Sequence, residues 1–255
     1  LAHVVKDRFY GHPEYKQDAL PSEQYPSGRS AIWFPYHRMR SISGPIHDAT
    51  QGKFGPFADQ MFVGDVGYGA NAGIMRVALE KVDGEYQGAC FPFVDGQPLG
   101  CERMRFGPEN HLYIASLTSG LTRLAYVGQT RLAYVGQTAP LALQAVRIRP
   151  GGKGFVVQLT KPLAADQKLD PAQFAVKRYH YLYTGNYGSP QADEKSVPVE
   201  AAELSADRTT ITLTFPVETY PIGMVYEIRV GDLRDEQGEK LLHKEAWYTV
   251  HKIPK

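Results

Sequence analysis

The sequence predicts an all-β protein, and three observations carry that reading. The 255 residues hold 16 Tyr, 11 Phe, 25 Gly and 18 Pro, a composition that favours short strands joined by tight turns over long helices. Apolar residues alternate on both sides of the Gly107-Pro108-Glu109-Asn110 turn within 103–116, as in two short antiparallel strands. Beyond Pro140, seven short alternating segments follow one another with turn residues between them.

Taken in order, residues 1–30 are polar and turn-rich and are expected to form an extended, exposed lead-in. Residues 31–36, Ala31-Ile32-Trp33-Phe34-Pro35-Tyr36, supply a bulky apolar anchor. A strand is predicted over 60–65, and 74–82 and 85–91 pair around Asp83-Gly84, a strong two-residue hairpin signal. The 103–116 hairpin and a third strand over 121–128 have the rhythm of one β-propeller blade. Residues 1–138 therefore hold about two to three blades, whereas a ring needs at least about four blades of roughly 40–50 residues each. The expected outcome is a partial β-propeller. Its missing blades would come from further sequence or another chain, because an open sheet would expose long edges.

Residues 139–255 form the second predicted unit. Strands are expected over 141–149, 154–160, 174–183, 199–205, 209–215, 224–230 and 246–250. Seven strands in about 115 residues is the count and size of an immunoglobulin-like β-sandwich. Between the units, residues 122–129 are repeated without change as 130–137. The even period keeps the same alternation in both copies, and the preferred reading is a local duplication without function.

Lys and Arg total 28 against 27 Asp and Glu, with 13 of each before Ala139, so no basic stripe meets a phosphate backbone and nucleic acid is not an expected partner. No run of about 18 apolar residues predicts a membrane span. The chain begins at Leu1, which fits either a processed chain or a piece of a longer polypeptide. No Cys-x-x-Cys-His haem site, zinc-type spacing, Gly-x-Ser-x-Gly, His-Glu-x-x-His, Walker or EF-hand motif occurs.

Chemistry-bearing candidates are few. Cys90 and Cys101 flank a segment that returns on itself, so they form either a disulfide or two unrelated buried thiols. His47-Asp48 offers acid/base groups, although neighbours on a strand point to opposite faces. Asp65 ends a strand before a glycine-rich loop and is a candidate for a ligand or Ca²⁺, with a turn aspartate as the alternative. Arg76, Arg103 and Arg105 alternate with apolar residues and either clamp carboxylates or form a solvated sheet face. Tyr179, Tyr181, Tyr183 and Tyr187 form an aromatic cluster suited to sugar rings, protein partners or the core.

The Phe106-Gly107-Pro108-Glu109 turn, the Leu112-Tyr113-Ile114-Ala115-Ser116 strand and the Leu121–Tyr126 strand resemble the blades of secreted bacterial glucose/sorbosone dehydrogenase-like quinoprotein propellers. So do Phe54-Gly55-Pro56-Phe57 and 61–65, 74–77 and 84–93. The words Asp170-Pro171-Ala172-Gln173-Phe174, 204–214 and Tyr226-Glu227-Ile228 resemble bacterial Ig-like modules appended to secreted enzymes. Tyr187-Gly188-Ser189-Pro190 and 241–248 reinforce the likeness. The resemblance implies an extracytoplasmic (periplasmic or extracellular) sugar or alcohol oxidoreductase using pyrroloquinoline quinone (PQQ) and Ca²⁺ and passing electrons to a cytochrome. The blades that would carry the catalytic histidine and cofactor arginines have no counterpart, so no catalytic residue carries over and this chain is expected to serve as scaffold. The alternative is a non-catalytic carbohydrate- or protein-binding module of a secreted assembly.

Overall fold

The computed structural model describes residues 1–7, 10, 30–67, 73–94, 100–116, 120–124, 139–182, 188–216 and 222–255. Residues 8, 9 and 11–29 of the expected 1–30 lead-in, Tyr183, Tyr187 and the tandem repeat beyond Leu124 lie outside them. The described residues are all-β, with several antiparallel sheets, none closed into a barrel, and no α-helix.

The front of the chain contributes β1 (Ile46–His47), β2 (Met61–Gly64), β3 (Ile74–Val82), β4 (Glu85–Val94), β5 (Cys101–Phe106), β6 (Leu112–Ser116) and β7 (Gly120–Leu124). The back contributes β8 (Leu143–Ile148), β9 (Gly154–Leu159), β10 (Phe174–Tyr181), β11 (Gln191–Val197), β12 (Ala201–Leu204), β13 (Thr210–Thr214), β14 (Val225–Val230) and β15 (Glu245–Thr249). The β3–β4 hairpin turns at Asp83-Gly84, whose φ angles of 46° and 84° give the left-handed pair that matches strand twist. A 3₁₀ turn, Pro171–Gln173, is capped by Asp170, which accepts from Ala172 N at 2.9 Å, while Gln173 Oε1 accepts from Asp170 N at 3.2 Å.

One eight-stranded sheet, in the order β1-β2-β3-β4-β15-β14-β10-β11, runs through both parts of the chain. The joint is the pairing of β4 with β15, where Cys90, Ala89 and Gly88 stand opposite Trp247, Tyr248 and Thr249. A four-stranded sheet, β12-β13-β9-β8, packs on one face of its second half. The shared core joins Phe155, Val157, Ile211 and Leu213 to Tyr226, Ile228, Tyr248 and Phe91. The three-stranded meander β5-β6-β7 sits over the first half of that sheet, where Leu112 and Ile114 meet Phe54, Phe62 and Phe93. Both smaller sheets thus lie on one side of the long sheet, consistent with strand alternation.

The opposite side carries Val77, Cys90, Tyr179, Val225 and Trp247, and the 30–43 segment crosses it as a strap, with Ile32, Phe34 and Met39 inserted. Its backbone is anchored along the way. Trp33 N donates to Thr249 Oγ1 at 3.0 Å, Tyr36 N to Tyr181 Oη at 3.2 Å, and Arg40 N and Ser41 N to the Asp65 carboxylate at 2.6 and 3.1 Å. The apolar anchor read from 31–36 is therefore the middle of a cover for a sheet face.

Two sequence expectations need correction. The expected list of strands lacks Gln191–Val197, a mostly exposed edge strand whose Asp193 adopts φ 54° beside a register shift. An edge strand with one wet side needs no apolar alternation, and its charges and bulge blunt the edge against further pairing. Cys90 and Cys101 are both free and buried, not bridged. Cys90 packs with Trp247 in the strap-covered cluster, whereas Cys101 packs with the phenylalanine cluster on the other side, because the chain between them crosses from the long sheet to the meander.

Candidate functional site

Most of the polar residues singled out in the sequence hold the fold together. Asp65 is buried, and its two oxygens accept backbone N–H groups of Arg40, Ser41 and Gly67. Its own carbonyl accepts from Cys101 N at 2.9 Å. The carboxylate therefore ties the strap, the end of β2 and the start of β5 into one knot, with no oxygen turned to solvent for Ca²⁺.

Asp48 is also buried, and Oδ1 accepts from Thr50 N at 2.9 Å and Thr50 Oγ1 at 2.6 Å, an Asx-type turn. His47 projects the other way and lies 3.8 Å from exposed Asp59, so the two neighbours do not form an acid/base pair.

Arg76 is almost wholly buried. Its guanidinium carbon lies 4.1 Å from the ring centroid of Phe57 and 4.4 Å from that of Phe91, and it donates to Gln60 Oε1, Leu143 O and Gln144 O. Planar stacking combined with in-plane hydrogen bonding suits arginine and not lysine. The group clamps β8 onto the front of the long sheet. Arg103 and Arg105, by contrast, are exposed on the outer face of β5, with Arg103 donating to Glu102 at 3.2 Å.

The thiols are shielded. Burial pushes Cys90 far above the ordinary range and Cys101 up to about 11, the latter in spite of a lowering contact with Ser43. Neither is poised as a nucleophile.

Among the tyrosines, Tyr179 is core: fully buried, edge-on to Tyr181 at 5.4 Å, with burial raising its phenol well above the usual value. Tyr181 is different. It ends β10 under the strap, where its hydroxyl accepts from Tyr36 N and donates to Phe34 O at 3.3 Å. Its ring meets that of Trp33 at 5.5 Å and a 39° tilt. Together they floor a surface groove of about 230 Å³ between the strap and Gly188-Ser189.

Trp33, Tyr36 and Tyr181 are all half-buried, and Ile42 at the rim is 47% exposed. Gly188 has φ 79°, and a Cβ there would fall 2.5 Å from Tyr36 Cζ, so glycine lets this wall close on the tyrosine ring. Arg40 stacks over the Tyr36 ring at 5.1 Å. The groove is thus an aromatic surface of fixed geometry with polar groups of Ser30, Ser189 and Arg40 around it. The sequence pointed to Tyr181 but treated Trp33 and Tyr36 only as an apolar anchor. No local spacing links residues 145 positions apart, as Tyr36 and Tyr181 are.

A larger hollow of about 430 Å³ beside the Asp83-Gly84 turn is lined by groups engaged with one another. Lys252 lies 3.6 Å from Glu85, and the His3 ring meets Tyr86 edge-on at 4.8 Å. Among the described residues no three His, Cys, Asp or Glu side chains converge on a metal-sized position, and no helix is long and apolar enough to cross a membrane. The donor set fits neither Ca²⁺ nor PQQ: Asp65 is occupied by local donors, buried Asp48 has Oδ1 taken by Thr50 and only Oδ2 unpaired with no cluster of other carboxylates or imidazoles around it among the described residues, Arg76 is held by carbonyls and Gln60, and Arg103 and Arg105 stand on an open face. No family model matches the chain, and neither a curated protein nor a solved structure does so.

Proposed function

We propose that this chain is a non-catalytic carbohydrate-binding module of an extracytoplasmic assembly, with the Trp33–Tyr181 groove as its sugar contact. The observation that carries this reading is the pair of half-exposed rings, 5.5 Å apart, held by backbone hydrogen bonds to a strap anchored across a rigid sheet. A sugar ring offers a C–H face that packs on aromatic faces and hydroxyls that meet polar groups at a rim. Because the strap is pinned in advance, little conformational freedom is lost on binding. Isothermal titration with neutral oligosaccharides tests the reading, with Trp33→Ala as the control that removes the platform.

A second reading treats the chain as scaffold of a sugar or alcohol dehydrogenase-like propeller with an Ig-like partner unit. What favours it is the β5-β6-β7 meander, a separate three-stranded antiparallel sheet with the up-and-down order and turn of the inner part of a blade, and the two packed sheets behind it. Redox chemistry would then belong to other blades, since the described residues make no site for quinone or Ca²⁺. Dye-linked sugar oxidation by the longest available gene product with PQQ and Ca²⁺ tests it, and a lack of both activity and cofactor binding would remove it.

A further inference from the structure

The meander carries a second aromatic surface, unrelated to the strap. Met104, Phe106, Leu112 and Ile114 pack inward, which leaves Arg103, Arg105 and Tyr113 on the outer face. The Tyr113 ring is seated on Gly107: a Cβ at that position would come 2.4 Å from Cε2, so only glycine lets the ring lie there. Its hydroxyl donates to Glu109 Oε2 at 3.1 Å, which fixes the ring's direction across the turn.

The strand register then places Arg105 opposite Tyr113 on one side and Arg123 opposite it on the other. Neighbouring strands are about 4.8 Å apart, so a group resting on the ring lies within reach of the Arg105 side chain. Arg105 makes no ion pair among the described residues. Arg103 is paired with Glu102 where both are solvated, a contact of little strength.

We propose that this face is a second glycan contact, selective for uronic acids: the sugar ring stacks on Tyr113 and its carboxylate pairs with Arg105, with Arg103 next along the strand. The proposal rests on the carbohydrate-binding reading and adds the charge class of the ligand. A carboxylated sugar fits better than a nucleic acid, because the net charge of the chain is only +1 and a single ring stands beside Arg105 and Arg103 instead of along a basic track.

The test compares trigalacturonate with the same trimer after reduction of its carboxyl groups, titrated against wild type, Arg105→Gln, Arg103→Gln/Arg105→Gln, Tyr113→Phe and Trp33→Ala. Wild type is expected to prefer the acidic trimer, and each lost arginine should reduce that preference by about 1.5- to fivefold, the range of an exposed ion pair. Tyr113→Phe should keep most of the preference because the ring remains, and Trp33→Ala should leave it unchanged. Raising NaCl from about 0.05 to 0.5 M should abolish it, since the contact is solvated.

Equal affinity for the two trimers, a preference that survives the double arginine variant, or equally tight binding of a single-stranded oligonucleotide would overturn the proposal. Trp33-dependent binding of either trimer without any acidic preference would sink this inference and leave the groove reading standing. An Arg105-dependent preference that Trp33→Ala does not touch, with no neutral binding, would uphold the inference and remove the groove.

Discussion

Cys90 and Trp247 stand directly opposite each other in adjacent antiparallel strands, so the last strand of the chain is inserted beside a strand laid down early. Both side chains are fully buried under the strap, with the edge of the His37 ring against the indole at 5.7 Å. The consequence is mechanical. The strap and the rings of the groove rest on a sheet built from the front and back parts of the chain, so the groove forms only when those parts have come together.

Arg76 tests how firmly the four-stranded sheet is held to the front of the long sheet. Arg76→Ala removes a guanidinium stacked between Phe57 and Phe91 and leaves two β8 carbonyls and Gln60 without their donor. A loss of about 3–5 kcal/mol is expected in urea denaturation, with Arg76→Lys recovering only part of it because an ammonium cannot stack. A change below about 1 kcal/mol would contradict the role of this residue as a clamp.

The two thiols should behave as unbridged and shielded groups. In native protein at pH 8, iodoacetamide should label neither quickly, and after unfolding without reductant it should label both Cys90 and Cys101. Intact mass spectrometry reads the count directly; an unfolded chain that takes up no label until reduced would mean a disulfide.

Acid should loosen the Asp235 turn. Burial acts to raise the carboxyl of Asp235, but the bonds from Lys161 Nζ at 2.8 Å and from the N–H groups of Glu239 and Gln237 outweigh it and hold its pKa below the ordinary aspartate value. A group depressed in the folded state contributes stability that is present above its unfolded pKa, about 4, and is lost as pH falls through the folded value. Asp235→Asn should therefore flatten the stability profile below about pH 4 and lower stability by about 1–2 kcal/mol at pH 7. Parallel acid profiles for the variant and wild type would contradict this assignment.

Tyr181 separates ring from hydroxyl. Tyr181→Phe keeps the stacking surface beside Trp33 but leaves Tyr36 N and Phe34 O without their partner, so sugar affinity should fall by about two- to fivefold with the strap less firmly held. Amide exchange at Tyr36 should speed up in the same variant. Unchanged exchange and affinity would show that the hydroxyl does not position the strap.

Local patterning made much of the fold legible. The Asp83-Gly84 hairpin, the Gly107-Pro108-Glu109-Asn110 turn and most strands of the back half follow from alternation and turn chemistry, which act over a few residues. What escaped depends on partners far along the chain. Asp65 reads as a strand-end carboxylate until the N–H groups of Arg40 and Ser41 are seen to occupy it, and Arg76 reads as a solvated sheet arginine until Leu143 and Gln144 arrive from the other half. Gln191–Val197 was invisible because an exposed edge strand needs no apolar face. For the groove the sequence supplied Tyr181 but not its companions, since Trp33 and Tyr36 are indistinguishable in sequence from any buried aromatic anchor.

The most direct measurement is titration of wild type and Trp33→Ala with a panel of neutral oligosaccharides, with thermal unfolding as the control for folding. The half-buried position of Trp33 predicts saturable binding by wild type to at least one sugar and a loss of about tenfold or more in the variant, which loses some stability but still unfolds in one cooperative transition above the assay temperature. Absence of binding by wild type, or identical isotherms for the two proteins, would contradict the assignment of the groove.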